Sequence, residues 1–161
     1  MKSWGGNSCG ISFDLVLQTG KTASFAKAAL FKSENMKASF SFETYFAAVV
    51  SKDAAALQAF FRKDAEIIWH NTRERFDLRG FIRANCDYPG DWRGEIEREY
   101  RIEDTVIAAA RVWSADDPSL SFHCCSFIQL ENELISRLDE YWGDDGEPPE
   151  WRKDIAEKTT E

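Results

Sequence analysis

Four alternating segments in a row, separated only by short polar turns, constrain this chain more than anything else in it. They run over Glu95–Glu103, Thr105–Trp113, Leu120–Leu130 and Glu133–Trp142. Strands joined by such short turns pair antiparallel, because a parallel pair needs a crossover of a dozen or more residues. Side chains alternate between faces along a strand. In the first segment Ile96, Arg98, Tyr100 and Ile102 therefore share the face predicted for the core, and Glu95, Glu97, Glu99, Arg101 and Glu103 face water. In the third, Leu120, Phe122, Cys124, Ser126, Ile128 and Leu130 fall on one side, with Ser121, His123, Cys125, Phe127 and Gln129 on the other. The last segment carries Asp139 beside Glu140, Tyr141 and Trp142 before a Gly-Asp-Asp turn. Charge in that place marks a strand that borders a cavity or a wet surface.

Helical patterns precede the strands. Phe42, Tyr45, Phe46, Val49 and Val50 fall at the spacing of one helix face. Asp53 is placed to cap a second helix, with Leu57, Phe60 and Phe61 as its buried stripe and Asp64 as its end. Ala65–Asn71 reads as a strand, with Trp69 on one face and His70 on the other. Asp77 caps a third helix that reaches Cys86 and buries Leu78, Phe81 and Ile82. Tyr88-Pro89-Gly90-Asp91 is a turn, and Trp151–Lys158 reads as a short terminal helix. Helices followed by a strand meander give an α+β fold, with the helices on one face of a curved antiparallel sheet. Residues 1–35 lack sustained periodicity beyond a short strand at Phe13–Leu17 and a helix at Ala26–Phe31. They read as a loosely ordered extension of a single domain spanning 36–161.

At 161 residues the chain is long enough for one domain with a sizeable core. Its net charge of −8 repels phosphate, which argues against nucleic-acid or anionic-membrane partners. Cys9, Cys86, Cys124 and Cys125 form no Cys-x-x-Cys spacing, and the two histidines add no metal-binding pattern. No metal and no cofactor are expected. With no stretch long enough to span a membrane and no signal peptide, the reading is a cytoplasmic protein with reduced thiols.

The order of these elements resembles the nuclear transport factor two-like superfamily, in its SnoaL-like and ketosteroid-isomerase-like group. The resemblance rests on Tyr45-Phe46-Ala47-Ala48-Val49, the Lys52-Asp53 hinge, Phe60-Phe61 before Asp64-Ala65, Gly80–Asn85, and the last strand Ile135–Gly143. It implies a cone-shaped curved antiparallel sheet wrapped around the N-terminal helices, a cystatin-type α+β barrel. It also implies an interior pocket and a homodimer formed through the outer sheet face. Tyr45 matches the tyrosine that binds a developing oxyanion in the steroid isomerases. Their two aspartates are replaced here, the first by Trp69 and the second by Ser126 or Cys125, so the resemblance does not extend to steroid isomerisation.

Two functional readings follow. One is cofactor-free proton transfer on a carbonyl compound, of isomerase, cyclase or hydratase type. Asp139 is its general base, Tyr45 its donor to an enolate oxygen, and His123 a neighbouring catalytic candidate. Trp69, His70, Ile82, Arg98, Tyr141 and Trp142 are the candidate groups around a small, mostly apolar ligand. Arg98 requires a partner on its apolar face, either Asp139 or a ligand carboxylate. His123 faces either the pocket or a dimer interface, depending on a bulge. The rival reading is a non-catalytic ligand-binding or protein-interaction module.

Overall fold

The computed structural model describes residues 39–117, 119–153, 155–157 and 159. The extension expected at 1–35, with its short strand and helix, lies outside the described residues.

Ser41 opens α1 (Phe42–Val50), its hydroxyl accepting the Thr44 N–H at 3.3 Å. Phe42, Tyr45 and Phe46 are the buried stripe. Lys52 turns the chain with a φ of 57°, and the Asp53 carboxylate then caps α2 (Ala54–Phe60) by accepting the N–H groups of Ala55 and Ala56. Phe61, expected on that helix, is already extended and starts β1 (Phe61–Trp69). Its ring lies 5.3 Å from that of Phe81 and 5.9 Å from that of Tyr45, so core packing pulls it off the helix. A turn through Arg73 leads to β2 (Glu74–Phe76), which is too short to leave a periodic signature. Asp77 caps α3 (Leu78–Cys86), accepting from Gly80 N at 2.7 Å.

The meander follows as β3 (Trp92–Ile102), β4 (Thr105–Ser114), β5 (Ser121–Glu131) and β6 (Leu134–Asp144). Only a 3-10 turn at Glu150–Arg152 stands where a terminal helix was expected. The strand order is β2-β1-β6-β5-β4-β3. The sheet is curved, and it differs from the expected barrel in two respects. It does not close, since β2 and β3 are its edges, and it is mixed, because β1 runs parallel to β6. The whole meander separates those two strands, which leaves ample chain for a parallel pairing.

A bulge in β3 corrects the expected inside and outside. Ile96 pairs with Ala110 and Arg98 with Ala109, so Glu97 is an extra residue and the alternation reverses after it. Arg98, Tyr100 and Ile102, expected at the core, face outward; Tyr100 is 60% and Ile102 62% exposed. Arg98 therefore carries no buried charge and needs no partner. Arg101 takes the inner side and reaches Glu133 at 2.9 Å and the Phe40 carbonyl at 3.3 Å, which ties the sheet to the start of α1. Near the other end of β3, α1 packs so closely that a Cβ on Gly94 would lie 2.7 Å from the Phe46 ring. The core between helices and sheet is filled by Tyr45, Leu57, Ile67, Phe81, Val106, Ile128, Ile135 and Leu138.

Candidate ligand pocket

A second bulge decides which carboxylate enters the interior. Leu130 pairs with Ile135 but Gln129 pairs with Arg137, so Ser136 is the extra residue in β6. Ile135 and Leu138 both point inward although they are three apart, and both are fully buried. From Leu138 onward the inward series is Leu138, Glu140, Trp142 and Asp144; Asp139 and Tyr141 point outward. Among the described residues Glu140 is the one buried carboxylate.

Three donors converge on it. One oxygen accepts the indole N–H of Trp69 at 2.7 Å and that of Trp142 at 3.2 Å. The other accepts the Ser126 hydroxyl at 3.1 Å. Burial raises the Glu140 pKa and the three donors pull it back only in part. The two indoles, locked by one acid, meet edge to face at 6.4 Å.

They form one wall of a cavity of about 340 Å³. Tyr88, Trp92 and Phe122 form a second aromatic group in the lining, with ring centroids 5.3 and 5.7 Å apart in sequence. Val49 and Val50 of α1, Ala84 and Asn85 of α3 and Val112 of β4 close it, and Lys52, Asn71, Thr72 and Asp144 stand at the polar end. Much of this polar set is already engaged. Lys52 Nζ donates to the carbonyls of Tyr88 and Gly90, the latter at 2.7 Å. Asn71 accepts the Trp142 backbone N–H at 2.8 Å, and Asn85 donates to the Phe81 carbonyl at 2.9 Å. What remains for a ligand includes the Asn71 amide N–H, the Asn85 amide oxygen and its second N–H, the Tyr88 hydroxyl and the Asp144 carboxylate.

Of the residues singled out in the sequence, Trp69 and Trp142 line this cavity. Tyr45 is interior but does not line it. It sits among Phe40, Phe42, Phe60 and Phe61, and its hydroxyl has no hydrogen-bond partner among the described residues. Burial, then the negative charge of Glu140, push its pKa well up, so the phenol is neutral. Ile82 packs against the core away from the lining.

The others lie on the outer sheet face. Asp139 accepts from Arg137 Nε at 2.6 Å and pairs with His70 Nε2 at 2.8 Å. Arg137 holds the Asp139 pKa below the ordinary value, the opposite of what a base buried among aromatics needs. His70 stacks on Tyr141 at 4.4 Å, which is half exposed. His123 bridges Asp145 at 2.5 Å and Glu97 at 3.1 Å. The bulge in β6 thus separates Asp139 from Tyr45, and the two do not form an acid–base pair. Phe122 was legible as an inward residue of its strand. Glu140, Trp92, Asn71, Asn85 and Asp144 were not singled out, because no periodic signal marks a bulge or a turn that folds back over a pocket.

A family model described as a SnoaL-like domain matches residues 42–138, more than half of the chain. The chain belongs to the SnoaL-like domain family. Solved structures share its fold. A proposed ketosteroid isomerase of Kribbella flavida is 22% identical, covers 74% of this chain and 87% of its own, and superposes with a TM-score of 0.62. An LEH-like epoxide hydrolase of M. tuberculosis is 15% identical over 63% of this SnoaL-like chain and 79% of its own, with a TM-score of 0.52. A proposed polyketide cyclase of Sinorhizobium meliloti is 19% identical over 60% and 89%, with a TM-score of 0.51. At these identities the likeness is one of fold, and fold does not carry function. No curated protein matches the chain. Among the described residues no helix is long and apolar enough to cross a membrane.

Two predictions follow from this geometry. Glu140→Ala strands two indole N–H groups and should lower stability by about 2–5 kcal/mol in urea unfolding, whereas Glu140→Gln can still accept from both indoles and should stay within about 1 kcal/mol of wild type. Equal losses for both would show that the charge, not the acceptor, matters. His123 faces Glu97 on β3, Arg111 on β4, Gly143 on β6 and Asp145 beyond it. The hydrogen bond to Asp145 raises its pKa, partly offset by desolvation. The stability it contributes is therefore complete below about pH 6.5 and lost as pH rises through the folded value. The side chain is 41% exposed, so the loss should be under about 1 kcal/mol. It should vanish in His123→Gln when thermal midpoints are compared across that window.

Proposed function

We propose that this SnoaL-like protein binds one small, flat, mostly apolar molecule in the tryptophan-walled pocket. The observation that carries this reading is the pair of indoles, Trp69 and Trp142, fixed by Glu140 in the lining of a cavity that also holds Tyr88, Trp92 and Phe122. A volume of about 340 Å³ lies at the lower end of the range for small-molecule sites, and apolar walls with a few placed polar groups are their usual make-up. Glu140 acts here as a positioning residue. Its oxygens are satisfied by three donors and face away from the lining. Proton transfer by Asp139 and Tyr45 is not part of this reading, since they lie on different sides of the sheet.

The test is a titration of tryptophan fluorescence with a panel of small aromatic and alicyclic compounds, in wild type and in Ala84→Phe, which fills the cavity from α3. Saturable changes are expected in wild type and should disappear in the variant. A ligand at about 100 times its Kd should add about 2.7 kcal/mol to stability. A wild-type protein that responds to no compound, or a variant that responds equally, would overturn the reading.

We also propose a cytoplasmic homodimer formed through the outer sheet face. The free thiols of Cys86, Cys124 and Cys125 support the compartment. The exposed Tyr100, Ile102, Phe127 and Tyr141 on one face support the dimer. Sedimentation equilibrium should give twice the 18.4 kDa chain mass, and Ile102→Glu with Phe127→Glu should return it to one. A wild-type monomer at high concentration would rule the dimer out.

A further inference from the structure

The polar and aromatic groups around the cavity discriminate between ligand charges. Five aromatic rings line it: Trp69, Trp92, Trp142, Tyr88 and Phe122. The face of an aromatic ring is negative and attracts a cation placed over it, with tryptophan the strongest. Asp144 continues the inward series of β6 beyond Glu140 and Trp142, and stands on the pocket wall opposite Phe122 in the strand register. No hydrogen bond or ion pair engages its carboxylate among the described residues.

The wall's one cation is Lys52, and its ammonium is turned onto the carbonyls of Tyr88 and Gly90. It lines the cavity while holding the loop that carries Tyr88 and Trp92, so its donors are largely spent on that loop. An anionic ligand would meet five electron-rich rings and the Asp144 carboxylate, with the Lys52 ammonium, already shared between two carbonyls, as the one opposing charge in the lining. A neutral carbonyl ligand would find scattered single donors, the Asn71 and Asn85 amide N–H groups and the Tyr88 hydroxyl. A cation finds rings on both sides and an unengaged carboxylate at the polar end. The chain's net charge of −8 adds a weaker, salt-screened attraction of the same sign.

We infer that the pocket selects a small organic cation, an alkyl- or aryl-substituted ammonium compound. Its apolar groups lie between the Trp69–Trp142 and Trp92–Phe122 walls, and its charge lies toward Asp144. This rests on the pocket being a binding site and names the class of its ligand. Such cations are weakly hydrated, so ring faces replace the lost water at little cost.

The test uses three compounds of matched size on the full chain: phenyltrimethylammonium, its uncharged isostere tert-butylbenzene, and the anion 2-methyl-2-phenylpropanoate. Binding is read by tryptophan fluorescence and by the thermal midpoint, in wild type and in Asp144→Asn. The cation should bind at least about tenfold more tightly than the neutral isostere, and the anion most weakly. Asp144→Asn should reduce that preference by about threefold or more, leaving tert-butylbenzene affinity and the ligand-free thermal midpoint unchanged. Equal or better binding of the neutral or anionic compound would overturn the inference while leaving the pocket reading intact. So would a pocket that takes none of the three yet responds to other compounds of the aromatic and alicyclic panel. Failure of every compound would overturn both. A cation preference untouched by Asp144→Asn would overturn the role given to that carboxylate.

Discussion

One buried carboxylate organises the interior of this protein. Glu140 binds the indole nitrogens of a residue from β1 and another from β6 through a single oxygen, and its own backbone carbonyl accepts the His70 N–H. The same residue therefore joins the first long strand to the last through main chain and side chain together. A buried acid is costly unless its hydrogen bonds are met. Here three donors meet them, and in return two large rings lose their freedom to rotate. The cavity keeps its shape because its wall is hydrogen-bonded from behind, by a group that a ligand does not need to touch.

The starts of the three helices were legible in the sequence because capping is local, whereas the end of α2 was not, since Phe61 already belongs to β1. Ser41, Asp53 and Asp77 each sit where a hydroxyl or carboxylate can accept the first free N–H groups of a helix, and each does so. The four strands of the meander were legible because alternation persists over ten residues or so. What could not be read was parity after a bulge. Glu97 and Ser136 are ordinary strand residues in composition, yet each reverses every side chain that follows it. Arg98 was assigned inward for that reason, and the face of Asp139 could not be told from its neighbours'. Glu140, one position along, is the residue that the pocket uses.

The reversed residues are not idle. On the outer face Asp139 pairs with both His70 and Arg137, and His123 bridges Asp145 to Glu97. Arg137 and Asp139 pair within β6, His70–Asp139 and His123–Asp145 join neighbouring segments, and His123–Glu97 reaches across β4 to β3. Groups that look like acid–base machinery in a sequence thus serve as cross-strand ties. On the inner face the buried acid, Glu140, is occupied in holding the indoles of Trp69 and Trp142.

The parallel pairing of β1 with β6 also sets an order of events during synthesis. Trp69 and Glu140 are 71 residues apart, and the pocket wall they build exists only once both are present. A nascent chain can form α1, α2 and the β3–β4 hairpin early, from contacts close in sequence. The strand between β1 and β5 arrives last, so until the ribosome has released β6 the apolar faces of both neighbours stay uncovered. Pairings this distant are slow to form. The chain is therefore exposed to aggregation until β6 has been made, and a truncation before β6 leaves the edges of β1 and β5 permanently unpaired.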